Sequence, residues 1–482
     1  MKKYSFPADY EKKSADFKVK CDGRELDVYS CRISAVPFNQ VWPGYQRPFE
    51  QTEPASFVML GSDSMTELEI TPSKDFNDVT VRPLSKGIKP VIKDNAVKLV
   101  FPGAGQYTVE FDNPHHVLTV FINPENEFNV NKDDTDVLYF GPGVHFVDKK
   151  LELQDGQTVF IDEGAVVYGA VTATDKKNVS VIGYGILDNS RMRRANEING
   201  CSILDPNAGE MTGNPVFFNR CENVVVDGIT IVDSSGWNLY IDGCSNVLID
   251  NIKLIGMWRY NADGCDFCNC TNAIIKNSFL RTFDDGIVIK GFKLNNHLPL
   301  QNILAENCVL WCDWGRALEV GAETSAPYMS GIRFKNCDII TGCHVMLDIQ
   351  HGDCANMCDV HFEDIRIEYR GKSECPALQE ADDAVYSNTD EKFMPQLFAV
   401  IAGTTMWSID EKSGPLKNVY FKNIEVTTED GRIPVSSEIT VRDGEEKIDG
   451  VFFENITVNG VKCTKEDLDI TITKGVKNII WN

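Results

Sequence analysis

The chain has 482 residues, 43% of them hydrophobic and 24% charged, and a formal net charge of −24. That is the composition of a folded globular protein with enough apolar material for a large core. The acidic balance argues against nucleic acid, which needs a basic excess to neutralise phosphates, and no run approaches the roughly 18 apolar residues of a membrane-spanning helix.

The opening stretch "MKKYSFPADYEKKSADF" carries basic residues with no apolar segment behind them, so no secretory signal is read there. The 16 cysteines are scattered along the chain. Together these features predict free thiols and a cytoplasmic setting, or a secreted one if a signal has been removed. Cys265, Cys268 and Cys270, and the "CANMC" of 354–358, invite a zinc reading. Neither group has the second pair, with histidine, of a structural zinc site, so buried thiols are expected and no metal or cofactor.

Residues 1–132 alternate apolar and polar positions in short stretches: "DFKVKCDGRELDVYSCRI", "ASFVML", "TELEITP", "DVTVRPL", "AVKLVF", "QYTVEFD" and "HVLTVFIN". Turn residues separate them, which predicts an antiparallel β-sandwich. Between the first two lies "PFNQVWPGYQRPFEQTEPASF", 37–57, whose aromatic and polar residues sit among prolines and glycine. Trp42 and Arg47 are candidate sugar contacts there; a plug between domains or subunits is the other reading.

From 133 to 482 the sequence repeats. "NVSVIGYGILD" at 178 is followed by "NVVVDGITIVD" at 223, "NVLIDNIKLIG" at 246, "NAIIKNSFLRT" at 272, "NILAENCVLWC" at 302, "SGIRFKNCDII" at 330 and "DVHFEDIRIEY" at 359. "NVYFKNIEVTT" at 418 and "GVFFENITVNG" at 450 continue the series. From 223 to 359 the starts are 23 to 30 residues apart, and each copy is a strand, a polar bend and a second strand. One copy cannot bury both of its strands, but stacked copies can, which makes a solenoid of parallel β coils. A leucine-rich repeat lacks support because its helical half is missing. The recurring Asn suits bends that need a left-handed backbone. The jump from 359 to 418 contains an acidic, polar insertion at about 371–412, expected to be a long loop: a wall of the active site or a contact between subunits. The exposed end of the solenoid also allows a homo-oligomer. The fold class is therefore all-β.

Two acidic motifs follow copies of the repeat. "YNADGCDF" holds Asp263, and "RTFDDGIVIKG" holds Asp284 and Asp285. Their spacing is close to one coil, so the three carboxylates should meet near one edge of the solenoid. Clustered acids suit acid–base catalysis, since repulsion keeps one protonated and another ionised; solvated turns and a calcium site are the alternatives. Lys290 closes the second motif as a cation near Asp284. Arg316 and Glu323 fall one coil further on, as does Glu319, whose place in a strand suggests that it simply faces out. Beyond them "MLDIQHGD" adds His351, a candidate for the cleft wall.

The stretch from about 236 to 321 resembles the polygalacturonase family of glycoside hydrolases, family 28. "NADG" is similar to that family's Asn-Thr-Asp motif and "FDDGIVIKG" to its Gly-Asp-Asp motif. The domain ahead of the solenoid is more like the dextranase and isopullulanase branch, family 49. The resemblance implies a right-handed parallel β-helix of the pectin-lyase-like kind and inverting hydrolysis of an oligo- or polysaccharide. It also implies Asp284 as general acid and Asp263 and Asp285 as activators of water. Lys290, Arg316, Glu323 and His351 are candidate substrate contacts from their places on the coils, Lys290 being equally readable as a tuner of Asp284 or a turn lysine. The family's Gly-His-Gly motif has no histidine at 314–324, where Arg316 stands nearest, and its Arg-Ile-Lys signature has no counterpart, so galacturonan is not implied. A polysaccharide lyase or other uronate-modifying β-helix enzyme is a second reading. A non-catalytic carbohydrate-binding solenoid is a third.

Overall fold

The computed structural model describes residues 1–34, 52–125, 128–147, 150–192, 213–370, 394–434 and 436–482. No α-helix occurs among them. Two N-terminal sheets, of six and five strands, face each other across a core that includes Val19, Leu68, Leu99, Val109 and Val120. The strands fall where alternation placed them, and the sheets make a β-sandwich. One pairing departs from the expected antiparallel pattern: Leu118 to Asn123 of the strand Asn113–Asn123 run parallel to Ser56 to Gly61 of Thr52–Gly61.

The solenoid begins at Val137–Phe140 and is a right-handed parallel β-helix. Like residues stack from coil to coil: Val224 is opposite Val247, then come Ala273, Ile303, Ile332, Val360, Val419 and Val451 in register. Phe334, Phe362, Phe421, Phe453 and Trp481 form an inner aromatic column with ring centroids 4.4–5.1 Å apart. Such columns are how the repeat buries what no single copy can.

The bends explain the recurring asparagine. Asn223, Asn246, Asn272 and Asn302 all have φ of 54–59°, in the left-handed region. Each amide donates to the Oδ1 of the previous coil's Asn, at 2.9 Å from Asn223 to Asn178 and 3.0 Å from Asn302 to Asn272. Asn tolerates this backbone and supplies both donor and acceptor, so one residue type solves the turn and builds a ladder.

Each complete coil has a third strand that the repeat pattern missed. Eleven of these make a separate sheet, which includes Leu239–Asp242, Cys265–Cys268, Ile287–Gly291, Arg316–Thr324 and Val345–His351. Gln396–Ala402 continues that sheet beside Val345–His351. The expected insertion at 371–412 is therefore interrupted by a coil strand; of its remainder, 371–393 lies outside the described residues.

The sandwich docks on the strand face that precedes this third sheet. Tyr10, Tyr29, Phe57 and Phe121 pack with Val232, Ile255, Phe279, Val309 and Trp311. Glu110 takes ion pairs from both Arg82 and Arg370 at the same junction. The turns that follow these strands carry the acidic motifs, so docking holds the backbone just ahead of them.

Candidate active site

Asp284 and Asp285 occupy the turn between Phe279–Thr282 and Ile287–Gly291. Asp263 occupies the equivalent turn one coil earlier, ahead of Cys265–Cys268, whose Cys265 pairs with Ile287. The Gly264 N–H donates to the Asp285 carbonyl at 2.8 Å, and the Gly286 N–H to the Arg316 carbonyl at 2.7 Å. These stacked turns leave no room for a side chain after each acid. A Cβ on Gly264 would lie 2.3 Å from the Gly286 carbonyl oxygen, and one on Gly286 2.3 Å from that of Ala317. The glycine after each acidic motif is thus what lets the turns stack.

The three carboxylates line one cleft of about 940 Å³ while being only 2%, 4% and 8% exposed in chain order. Asp285 accepts the Arg316 N–H on Oδ1 at 2.7 Å, a bond that favours its ionised form. Burial, then Asp266, Asp284 and Asp285, push Asp263 well above the usual carboxylate range against the pull of Lys290. The Lys290 ammonium is 3.3 Å from Asp263 Oδ2 and 3.0 Å from Asp266 Oδ1, and 4.0 Å from the Trp237 ring centroid. Burial works against its charge, but Asp266 and Asp263 outweigh it and hold the lysine charged. Asp266, fully buried on the Cys265–Cys268 strand, is itself pushed up to about 6, chiefly by burial.

One coil further, the Arg316 guanidinium lies 3.3 Å from Asp348 Oδ2 and 3.8 Å from Asp285 Oδ1. Glu319 lies in the same strand, in register between Val288 and Asp348. It points outward from the coil, as its alternation with the core residues Leu318 and Val320 suggests, but into the cleft, where it is 1% exposed.

Six expected residues therefore come together at the cleft: Asp263, Asp284, Asp285, Lys290, Arg316 and Glu323. Lys290 pairs with Asp263 and Asp266 rather than with Asp284. His351 does not reach the cleft. It is fully buried, and its Nδ1 pairs with Thr324 Oγ1 at 2.9 Å, because the strand alternation that turns Asp348 and Gln350 one way turns His351 elsewhere after the Gln. Trp42 and Arg47 lie outside the described residues.

Several lining residues were not expected. Trp237, Tyr240 and Phe292 form one aromatic wall, with Trp237 4.8 Å from Tyr240 and 5.3 Å from Phe292 between ring centroids. Trp314 also lines the cleft and stacks on the buried core residue Phe283 at 5.8 Å. Met406 and Trp407 come from the loop after Gln396–Ala402. Asp353 pins that loop by accepting the N–H groups of Ile409 at 2.7 Å and Asp410 at 2.9 Å. Part of the expected insertion thus does line the cleft. The signal for Trp237 stands in "SSGWNLY", where an aromatic follows a Gly ahead of a coil strand; Asp266 was visible three residues after Asp263. Among the described residues no group of His, Cys, Asp and Glu is arranged to hold a metal ion, and every described cysteine is a free thiol.

A parallel β-helix with stacked aspartates beneath an aromatic cleft has the makings of a carbohydrate-active enzyme. The comparisons support a glycosidase: residues 148–374, just under half of the chain, match the model of Glycosyl hydrolases family 28. Among solved structures, Dex49A from Penicillium minioluteum superposes with a TM-score of 0.70 at 15% identity, covering 99% of this chain and 96% of that one. The family 28 exopolygalacturonase of Yersinia enterocolitica gives 0.52 at 14% identity, covering 98% and 95%. At these identities the likeness carries the fold, and with Dex49A it extends over the N-terminal sandwich. A search of curated protein sequences finds no match.

Proposed function

We propose that this protein is an inverting glycoside hydrolase in which Asp284 protonates the leaving oxygen while Asp263 and Asp285 draw the proton from the attacking water. The observation that carries this reading is the stacking of three nearly buried carboxylates on adjacent coils at the floor of one aromatic-walled cleft. Glycoside cleavage needs one carboxyl to give a proton and another to take one. Asp285 accepts the Arg316 backbone N–H on Oδ1 at 2.7 Å, beside the Arg316 guanidinium. Asp263 combines a raised proton affinity, which suits a group that must take a proton, with a lysine that favours its ionised form. Trp237, Trp314 and Trp407 offer apolar faces to sugar rings.

Hydrolysis is favoured over elimination. A lyase needs positive charge beside its base for a uronate carboxylate, whereas Lys290 and Arg316, the cations next to the stacked acids, are already ion-paired with Asp263, Asp266 and Asp348, and the cleft's other lysines, Lys150 and Lys293, form no ion pair with these acids. The test is a screen of α- and β-linked oligosaccharides, galacturonides among them, with the purified chain. Release of reducing sugar without new ultraviolet absorbance is expected, and proton NMR should show the first product in the inverted anomeric form. An unsaturated product, or a retained anomer, would refute the respective part of the mechanism.

A further inference from the structure

Glu319 is a second kind of acid in this cleft. Its side chain is within hydrogen-bonding contact of the Asp285 carboxyl, and its Oε2 is buried without a hydrogen-bond partner. Asp285 reaches it from the coil before, Asp348 from the coil after, and Arg316 from its own strand. Two carboxyls in contact in a buried site do not both ionise; they share a proton. Asp285 already receives the Arg316 N–H, which favours its anion, so the proton belongs on Glu319. Burial and then Asp285 push Glu319 well above the usual carboxylate range, with Arg316 opposing and Asp348 adding to the rise.

We propose that Glu319 is a positioning residue, presenting a neutral carboxyl that donates a hydrogen bond to Asp285 and thereby fixes which lone pairs of Asp285 face the attacking water. The inference rests on Asp285 serving as a base, as set out above. Asp285 is then held from two sides, by the Arg316 backbone N–H and by the Glu319 O–H. The proton it takes from water adds to the pair without displacing the one on Glu319. As the pH rises and Glu319 ionises, two adjacent anions replace the bonded pair and the alignment is lost, so Glu319 sets an alkaline limit on activity.

The test compares E319Q, E319L and D285N on isomalto-oligosaccharides or galacturonan oligosaccharides, whichever the wild type cleaves. Gln donates the same bond and cannot ionise, so E319Q should keep kcat within about fivefold and lose the alkaline decline that Glu319 causes. E319L removes the donor at similar volume and should lower kcat about 100-fold with KM little changed. An infrared difference spectrum between wild type and E319Q near neutral pH, taken without substrate, should show a protonated-carboxyl stretch lost in the variant. E319Q as inactive as E319L, or no protonated carboxyl in the difference spectrum, would overturn the inference, since Glu319 would then act as an anion. E319L with wild-type kcat beside an inactive D285N would overturn it alone. An active D285N would overturn it together with the assignment of Asp285 as a base.

Discussion

Replacing Lys290 by Met gives the sharpest view of how this site sets its protonation. The ammonium lies 3.3 Å from Asp263 Oδ2, and Coulomb's law with an effective dielectric constant of about 20 makes that attraction about 5 kcal/mol. Asp266, at 3.0 Å, loses its partner in the same substitution. A carboxylate deprived of its cation in a buried site takes up a proton sooner than stay charged. At about 1.4 kcal/mol per pH unit the full attraction would raise the proton affinity of Asp263 by more than three pH units, and water entering beside the Met side chain reduces this to about two. Asp263 must be ionised to act as a base, so activity is present above its pKa and lost as the pH falls through it. The acid limb of kcat/KM in K290M should therefore move up by about two pH units. Below both limbs the variant should be about 100-fold slower than wild type, and the two should converge toward alkaline pH. The assay is kcat/KM against pH on the oligosaccharide identified by the screen. A profile lowered equally at every pH, with its acid limb unmoved, would refute the idea that Lys290 governs the ionisation of Asp263.

Other consequences follow from the same geometry. N272A breaks a ladder residue with φ of 54° and should lower stability to urea by about 2–3 kcal/mol, while N272G should recover the backbone part; equal losses in both would contradict the left-handed-bend argument. W407A should raise KM about tenfold with kcat little changed if the loop pinned by Asp353 offers a sugar-stacking face, and an unchanged KM would remove it from the substrate path. Asp227 is pushed up to about 6 by burial and then by Asp250. Its contribution is therefore present at low pH and lost as the pH rises through that value. D227N should raise the melting temperature above about pH 6 and leave it unchanged below about pH 4, which a melting series against pH will show.

Much of the architecture was visible as period and pattern. Stacked coils require like residues one coil apart, so Val247, Ala273 and Ile303 announce each other in the sequence, and the ladder asparagines mark the bends. The third strand of each coil left no such mark. Its outer face is the floor of a cleft, and the residues there, from Tyr240 and Asp266 to Val288, Glu319 and Asp348, differ because each serves the site rather than the stack. Asp263, Asp284 and Asp285 could be found because each acidic motif is followed by a Gly that close stacking demands. Partners chosen by side-chain direction were harder. Lys290 pairs with Asp263 and Asp266 across the sheet rather than with Asp284 in its own motif, and His351 turns away from the cleft. Trp407 belongs to a loop held by Asp353, and no periodicity connects the two.

The most direct measurement is the turnover of D284N on the oligosaccharide that the wild type cleaves, with circular dichroism and melting temperature recorded on the same samples. Asn keeps the shape of the side chain but has no acidic proton to give the leaving oxygen. A folded D284N whose kcat has fallen by about 10²–10⁴ is the expected result. A folded D284N with wild-type kcat would contradict the assignment of this acidic turn as the site of glycoside cleavage.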